Sequence, residues 1–206
     1  MRLYHTLWLF RKFYPKDVVW DVPAKSKTLY LTFDDGPTTE ITQWILDTLE
    51  VYNAKATFFC VGENVSKHPE IYASLIDKGH AVGNHTHNHL NGWKTPIEPY
   101  IENVVLARER IQSNLFRPPY GKIKPVQAKT LKKMGYRIIL WSVLSYDFDK
   151  NLDRNEAWKN IVKYSKSGSI IVFHDHLKAF ENLKELLPKT LEYFKSKGYS
   201  FEKIDR

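Results

Sequence analysis

At 206 residues, with 43% hydrophobic and 14% aromatic content, the chain is long enough to bury one sizeable core and short for two. Its net charge of +8 comes from lysines spread along the sequence, without a basic block or a phosphate cradle, which argues against nucleic-acid binding and for a solvated basic surface. The single cysteine, Cys60, cannot form an intrachain disulfide, and no apolar stretch reaches membrane-spanning length.

The N-terminus lacks the apolar core and small-residue cleavage site of a secretory signal. The cytoplasm is therefore the default location, although a cell-wall substrate would require export. Leu3, Leu7 and Phe10 at helical spacing predict a short helix closing the bottom of the domain, so residues 1–27 read as an N-terminal extension packed on a single domain over 28–206. Strand-like runs then lie at Leu29–Phe33, Ala56–Val61, Ala81–Asn84, Leu115–Arg117, Tyr136–Val143, Ser169–Phe173 and Tyr199–Ile204. Helical patterns alternate with them at Ile41–Val51, Glu70–Lys78, Glu98–Gln112, Lys124–Lys133, Asn155–Tyr164 and Leu183–Lys197. Gly79, Gly135 and Gly198 fall where helices must turn back, which suits a left-handed closing residue. This alternation predicts an α/β domain with parallel strands wound into a barrel or an open sheet.

Five short segments carry chemistry, and each sits just past a predicted strand, where a β/α barrel gathers its site. The first, Thr32-Phe33-Asp34-Asp35-Gly36-Pro37, places adjacent carboxylates at the end of a buried strand. The second, His85-Thr86-His87-Asn88-His89, would put His85 and His89 on one face of a helical turn, where with a carboxylate oxygen they make a two-nitrogen, one-oxygen metal set. His87 would point away. The others are Arg117-Pro118-Pro119-Tyr120-Gly121, the stretch Trp141–Asp147, and Val172-Phe173-His174-Asp175.

In this order the segments resemble the motifs of the polysaccharide deacetylase family, the NodB-type carbohydrate esterases of family 4: TFDDGP, H-[ST]-x-x-H, R-x-P-Y, D-x-x-D-W and L-x-H. The resemblance spans Thr28 to about Asp175 and implies a distorted, incompletely closed (β/α)7 barrel acting on an N-acetylated glycan. It also implies roles. Asp35, His85 and His89 would hold one divalent ion, zinc by ligand type with cobalt, nickel or manganese as alternatives. Asp34 would be the base, Arg117 its partner, the Tyr120 N–H an oxyanion donor and His174 the general acid. Trp141, Phe173 and Pro119 would border the acetyl group.

The chain departs from the family pattern at Leu144, where an aspartate is expected, and at Phe148, which replaces tryptophan. The resemblance implies that the missing carboxylate is the one that supports the acid, so either Asp147 or Asp175 supports His174 instead, or His174 works unaided with a lower pKa. Two rivals stand beside the N-deacetylase: an O-acetyl esterase on a glycan such as acetylated xylan, and a catalytically impaired carbohydrate-binding protein.

Overall fold

The computed structural model describes residues 2–6, 11–24 and 26–205. Seven parallel strands form one open half-barrel, a distorted (β/α)7 arrangement: β1 (Thr28–Asp34), β2 (Ala56–Cys60), β3 (Ala81–Asn84), β4 (Leu115–Phe116), β5 (Arg137–Ile138), β6 (Val143–Leu144) and β7 (Ile170–His174), in the order β5-β4-β3-β2-β1-β7-β6. A short β8 (Ser200–Phe201) pairs with the start of β1, in line with β2 on the same edge. Among the described residues the named helices are α1 (Thr39–Val51), α2 (Gly62–Lys67), α3 (Pro69–Asp77), α4 (Ile97–Arg108), α5 (Pro125–Lys133), α6 (Arg154–Tyr164) and α7 (Phe180–Ser196).

Alternation along the strands explains the two apolar layers. Phe33, Phe58 and Phe173 face outward and stack with ring centroids 5.0 and 6.0 Å apart, beneath Ile41, Ile45, Leu46 and Leu49 of α1 and Leu183, Leu186, Leu187 and Leu191 of α7. These helical positions recur at the spacing that makes one buried stripe. Truncating a fully buried leucine such as Leu46 to alanine is expected to cost about 2–5 kcal/mol. Phe59, Leu115, Ile139 and Ile170 fill the inner face. Gly79, Gly135 and Gly198 close α3, α5 and α7 at φ of 80°, 90° and 76°, the left-handed region that costs glycine nothing.

Three expectations change. The strand-like run Tyr136–Val143 is two strands, because the backbone breaks between Ile138 and Val143 where the half-barrel leaves its gap. The N-terminal segment lines that gap: Val19 and Ile139 form a parallel bridge, and His5 and Val143 an antiparallel one. Residues 2–6 are thus extended rather than helical at Leu3, and the helix expected over Leu7 and Phe10 lies outside the described residues. Phe173 belongs to the outward core beside Phe33, facing away from the position expected of a residue bordering an acetyl group.

Candidate metal and acid-base centre

The strand ends bring the chemistry together. Parallel pairing of β1 with β7 sets Asp34 opposite His174, and pairing with β2 sets it opposite Phe59. Asp34 is buried, and its Oδ1 accepts from Arg117 Nη1 at 2.7 Å. Arg117 is fully buried as well, and the same nitrogen donates to Thr32 Oγ1. Its Nε and Nη2 donate to the carbonyls of Ile139 and Leu140, with the guanidinium 4.1 Å from the centroid of Phe59. Burial lowers the Arg117 pKa and Asp34 opposes that fall, so the pair is mutually dependent.

Asp35 leaves the strand with φ 85°, which turns its carboxylate away from Arg117 and toward the second segment. Asn64 Nδ2 holds its carbonyl at 2.7 Å. Residues 85–89 are not helical. Thr86 and His89 adopt φ of 65° and 55°, and this bent backbone, rather than a helical face, brings the two imidazoles together with centroids 5.1 Å apart. Side chains from elsewhere pin the bend: Asn84 Oδ1 accepts from the Thr86 N–H, Thr86 Oγ1 from Leu90, and Asn103 Oδ1 from His87 and Asn88. Sequence periodicity gave no sign of these asparagines, which act across 15 or 16 residues in the case of Asn103.

Asp35 Oδ1 lies 3.0 Å from His89 Nε2 and 3.6 Å from His85 Nε2, and one ligand atom from each of the three residues falls within 4.8 Å of the others. The Nδ1 of His85 is 2.7 Å from the Arg117 carbonyl, which can only accept, so Nδ1 carries the hydrogen and Nε2 presents its lone pair to the cluster. Burial lowers the His85 pKa to about 4, keeping the ring neutral. Burial also opposes ionisation of Asp35, but the close His89 ring and the nearby His174 and His85 outweigh it, and the carboxyl stays well below the usual range. Asp35 Oδ1 is buried and accepts no well-aligned hydrogen bond. An anionic oxygen without a donor, beside a neutral imidazole lone pair, fits a divalent cation.

The turn Pro119–Gly121 lies next to this cluster. Tyr120 has φ 60°, and its exposed ring meets His89 edge-on at 4.6 Å between centroids. The N–H groups of Gly121 and Lys122 are tied to Pro118 and Pro119, whereas among the described residues none takes that of Tyr120. Pro119 is buried beneath the turn, and half-buried Trp141 packs against Gly121.

His174 is held by both oxygens of Asp147: Oδ1 is 2.7 Å from Nδ1, and Oδ2 accepts the backbone N–H at 2.7 Å. Burial disfavours the imidazolium, but the buried Asp147 carboxylate prevails and raises the His174 pKa to about 9. Leu144 therefore does not leave this histidine unsupported. Asp175 is not its partner either, since it accepts from Thr38 and Thr42 hydroxyls at 2.9 and 2.5 Å. Gly36 permits that arrangement, because a Cβ there would collide with the Asp175 carboxylate. Asn182 Nδ2 donates to the carbonyls of Asp147 and Asp149, and Arg154 Nε fixes the Asn182 amide.

Residues 21–139 match the model of the family described as Polysaccharide deacetylase. The chain is 36% identical over 191 residues to a peptidoglycan-N-acetylglucosamine deacetylase of Bacillus cereus, covering 89% of each. It is 30% identical over 191 residues to a peptidoglycan-N-acetylmuramic acid deacetylase of Bacillus subtilis, covering 88% of this chain and 72% of that one. It superposes on a crystal structure of a peptidoglycan N-acetylglucosamine deacetylase in complex with a naphthalenyl N-oxidanyl-benzamide, with TM-score 0.87 and 31% identity over 97% of this chain and 95% of the other. With this similarity running through the strands that carry Asp34, Asp35 and His85, the chain belongs to the polysaccharide deacetylase family.

Proposed function

We propose that the protein removes acetyl groups from N-acetylated amino sugars of a peptidoglycan- or chitin-type glycan. The observation that carries this reading is the Asp35, His85, His89 cluster, with Asp34 beside it and His174 at the facing strand end. A divalent ion bound there, zinc by ligand type, would polarise the acetyl carbonyl and acidify the attacking water.

The remaining work falls to side chains. Arg117 occupies Asp34 Oδ1, which leaves Oδ2 to take the proton of the water as its oxygen bonds to the carbonyl carbon. The Tyr120 N–H is oriented by its turn to receive the developing oxyanion, a donor whose loss typically costs on the order of 100-fold or more in rate. His174, bound to Asp147 through Nδ1, carries its transferable proton on Nε2 and delivers it to the amine nitrogen as the C–N bond breaks. The products are acetate and a free amino sugar. Domain boundaries at 1–27 and 28–206 accompany this reading, because the first of the five motifs begins on β1.

Acetate release from chitooligosaccharide, peptidoglycan and acetylated xylan tests the reading. Release from the first two, with a free amine in the product, supports it; release from xylan alone assigns an O-acetyl esterase, and no release from any of the three contradicts catalysis.

A further inference from the structure

Four residues beyond His89 the chain presents Trp93, whose side chain is 56% exposed. Isolated exposed apolar residues need no explanation. This one is held in place. Asn91 accepts from the Trp93 N–H through Oδ1 and from the Thr95 hydroxyl through its carbonyl. Gln127 Nε2 donates to the carbonyls of Gly92 and Thr95, and Lys124 Nζ donates to the latter as well. Gly92 lies so close to the Lys122 carbonyl that a Cβ would not fit. The indole Nε1–H is spent on the Ile123 carbonyl at 3.3 Å, and Lys122 Nζ sits 5.3 Å from the ring centroid. The indole thus has its polar atom satisfied, a cation over the ring and much of its apolar surface facing water.

Its position relates it to the metal cluster from two directions. Four residues of chain span at most about 14 Å, which bounds the separation of the His89 and Trp93 backbones. The residues that touch Trp93, Lys122 and Ile123, follow directly on the turn whose Tyr120 ring, 60% exposed, lies against His89. Two exposed aromatic residues therefore sit on the segments that meet at His89, Tyr120 against its ring and Trp93 on the chain that follows it. A sugar ring stacks its C–H face on an aromatic surface, and a pinned ring loses little side-chain entropy on binding.

We propose that Trp93 forms an accessory subsite that stacks a sugar adjoining the one being deacetylated, so that oligomeric glycans are favoured over single N-acetyl sugars. This inference rests on the deacetylase reading above. Lys122 covers one face of Trp93, which leaves the other to the ligand.

The test compares wild type, Trp93→Ala and Trp93→Tyr in metal-loaded protein, using N-acetylglucosamine and chitotetraose as substrates. The ratio of kcat/KM for tetramer over monomer should fall on the order of 10-fold in Trp93→Ala, through KM rather than kcat, and Trp93→Tyr should restore most of it. Binding of chitotetraose to the Asp34→Asn protein, with and without Trp93→Ala, gives a readout independent of turnover. An unchanged ratio in active enzyme together with unchanged binding overturns the subsite. Trp93-dependent chitotetraose binding, with no acetate release by metal-loaded protein that keeps Asp34, would retain the subsite and overturn the deacetylase reading instead.

Discussion

Asp147 grips His174 twice, through the ring Nδ1 and the backbone N–H, both at 2.7 Å. Burial pulls the imidazole pKa down, but the Asp147 charge and its ring contact, with the Asp35 and Asp34 carboxylates, raise it to about 9. Because the folded value lies above the unfolded one near 6.5, the pair's contribution to stability is complete below about pH 6.5 and is lost as pH rises through about 9. In its proposed role as general acid His174 must be protonated, so kcat/KM should fall on the alkaline side through that same region. Asp147→Asn should draw the alkaline limb down by more than a pH unit, whereas Leu144→Asp should leave it nearly in place. Profiles of kcat/KM against pH for the two variants check this.

Asn182 secures the loop that carries Asp147. Asn182→Ala should therefore move the alkaline limb in the same direction as Asp147→Asn but by less, and in the double variant its further effect should be small, since both act through one contact.

Asp34 and Asp35 are neighbours with separate surroundings, one on Arg117 and the other on the imidazoles. Asp34→Asn should retain metal close to the wild-type content yet lose most turnover, while Asp35→Asn, His85→Ala and His89→Ala should each lose metal as well. Elemental analysis of purified protein, alongside acetate release, distinguishes the two classes.

Arg117 is a fully buried cation whose partner Asp34 is also buried. Removing it as Arg117→Met leaves a carboxylate without its counter-charge, which is expected to destabilise the fold by about 3–5 kcal/mol. Urea unfolding at neutral pH measures the loss.

Asp175 is shielded from water between Thr38 and Thr42, and burial raises its pKa to about 7. The native state therefore binds more protons than the unfolded state between roughly pH 4 and 7, and this residue makes stability decline across that interval. Asp175→Asn should flatten the decline, so that the variant gains on wild type as pH rises from 5 to 8 in denaturant titrations.

Much of this site was legible because its chemistry sits at strand ends. TFDDGP announced the end of β1, and the five segments fall at the C-terminal rim as the alternating pattern required. What was not legible depends on contacts distant in sequence or on backbone bends. The spacing of His85 and His89 reads equally as a helix, and only the left-handed residues Thr86 and His89 reveal the bend. The run Tyr136–Val143 holds no Gly, Pro, Asn or Asp, so its break has no turn residue to mark it. Helix α2 was missed because six residues are too short for periodicity to show. Phe173 sits beside a site histidine in sequence, yet strand alternation turns it to the opposite face.

In the proposed reaction the Asp35, His85, His89 cluster and Asp34 together hydrolyse an N-acetyl group. Acetate release from a chitooligosaccharide by wild-type protein, stripped of metal and then restored with zinc, tests it most directly, with Asp34→Asn run in parallel. Little release is expected from the stripped protein, with recovery on restoration and almost none from Asp34→Asn even when loaded. Equal release by stripped and restored wild type, or full activity in loaded Asp34→Asn, would contradict it.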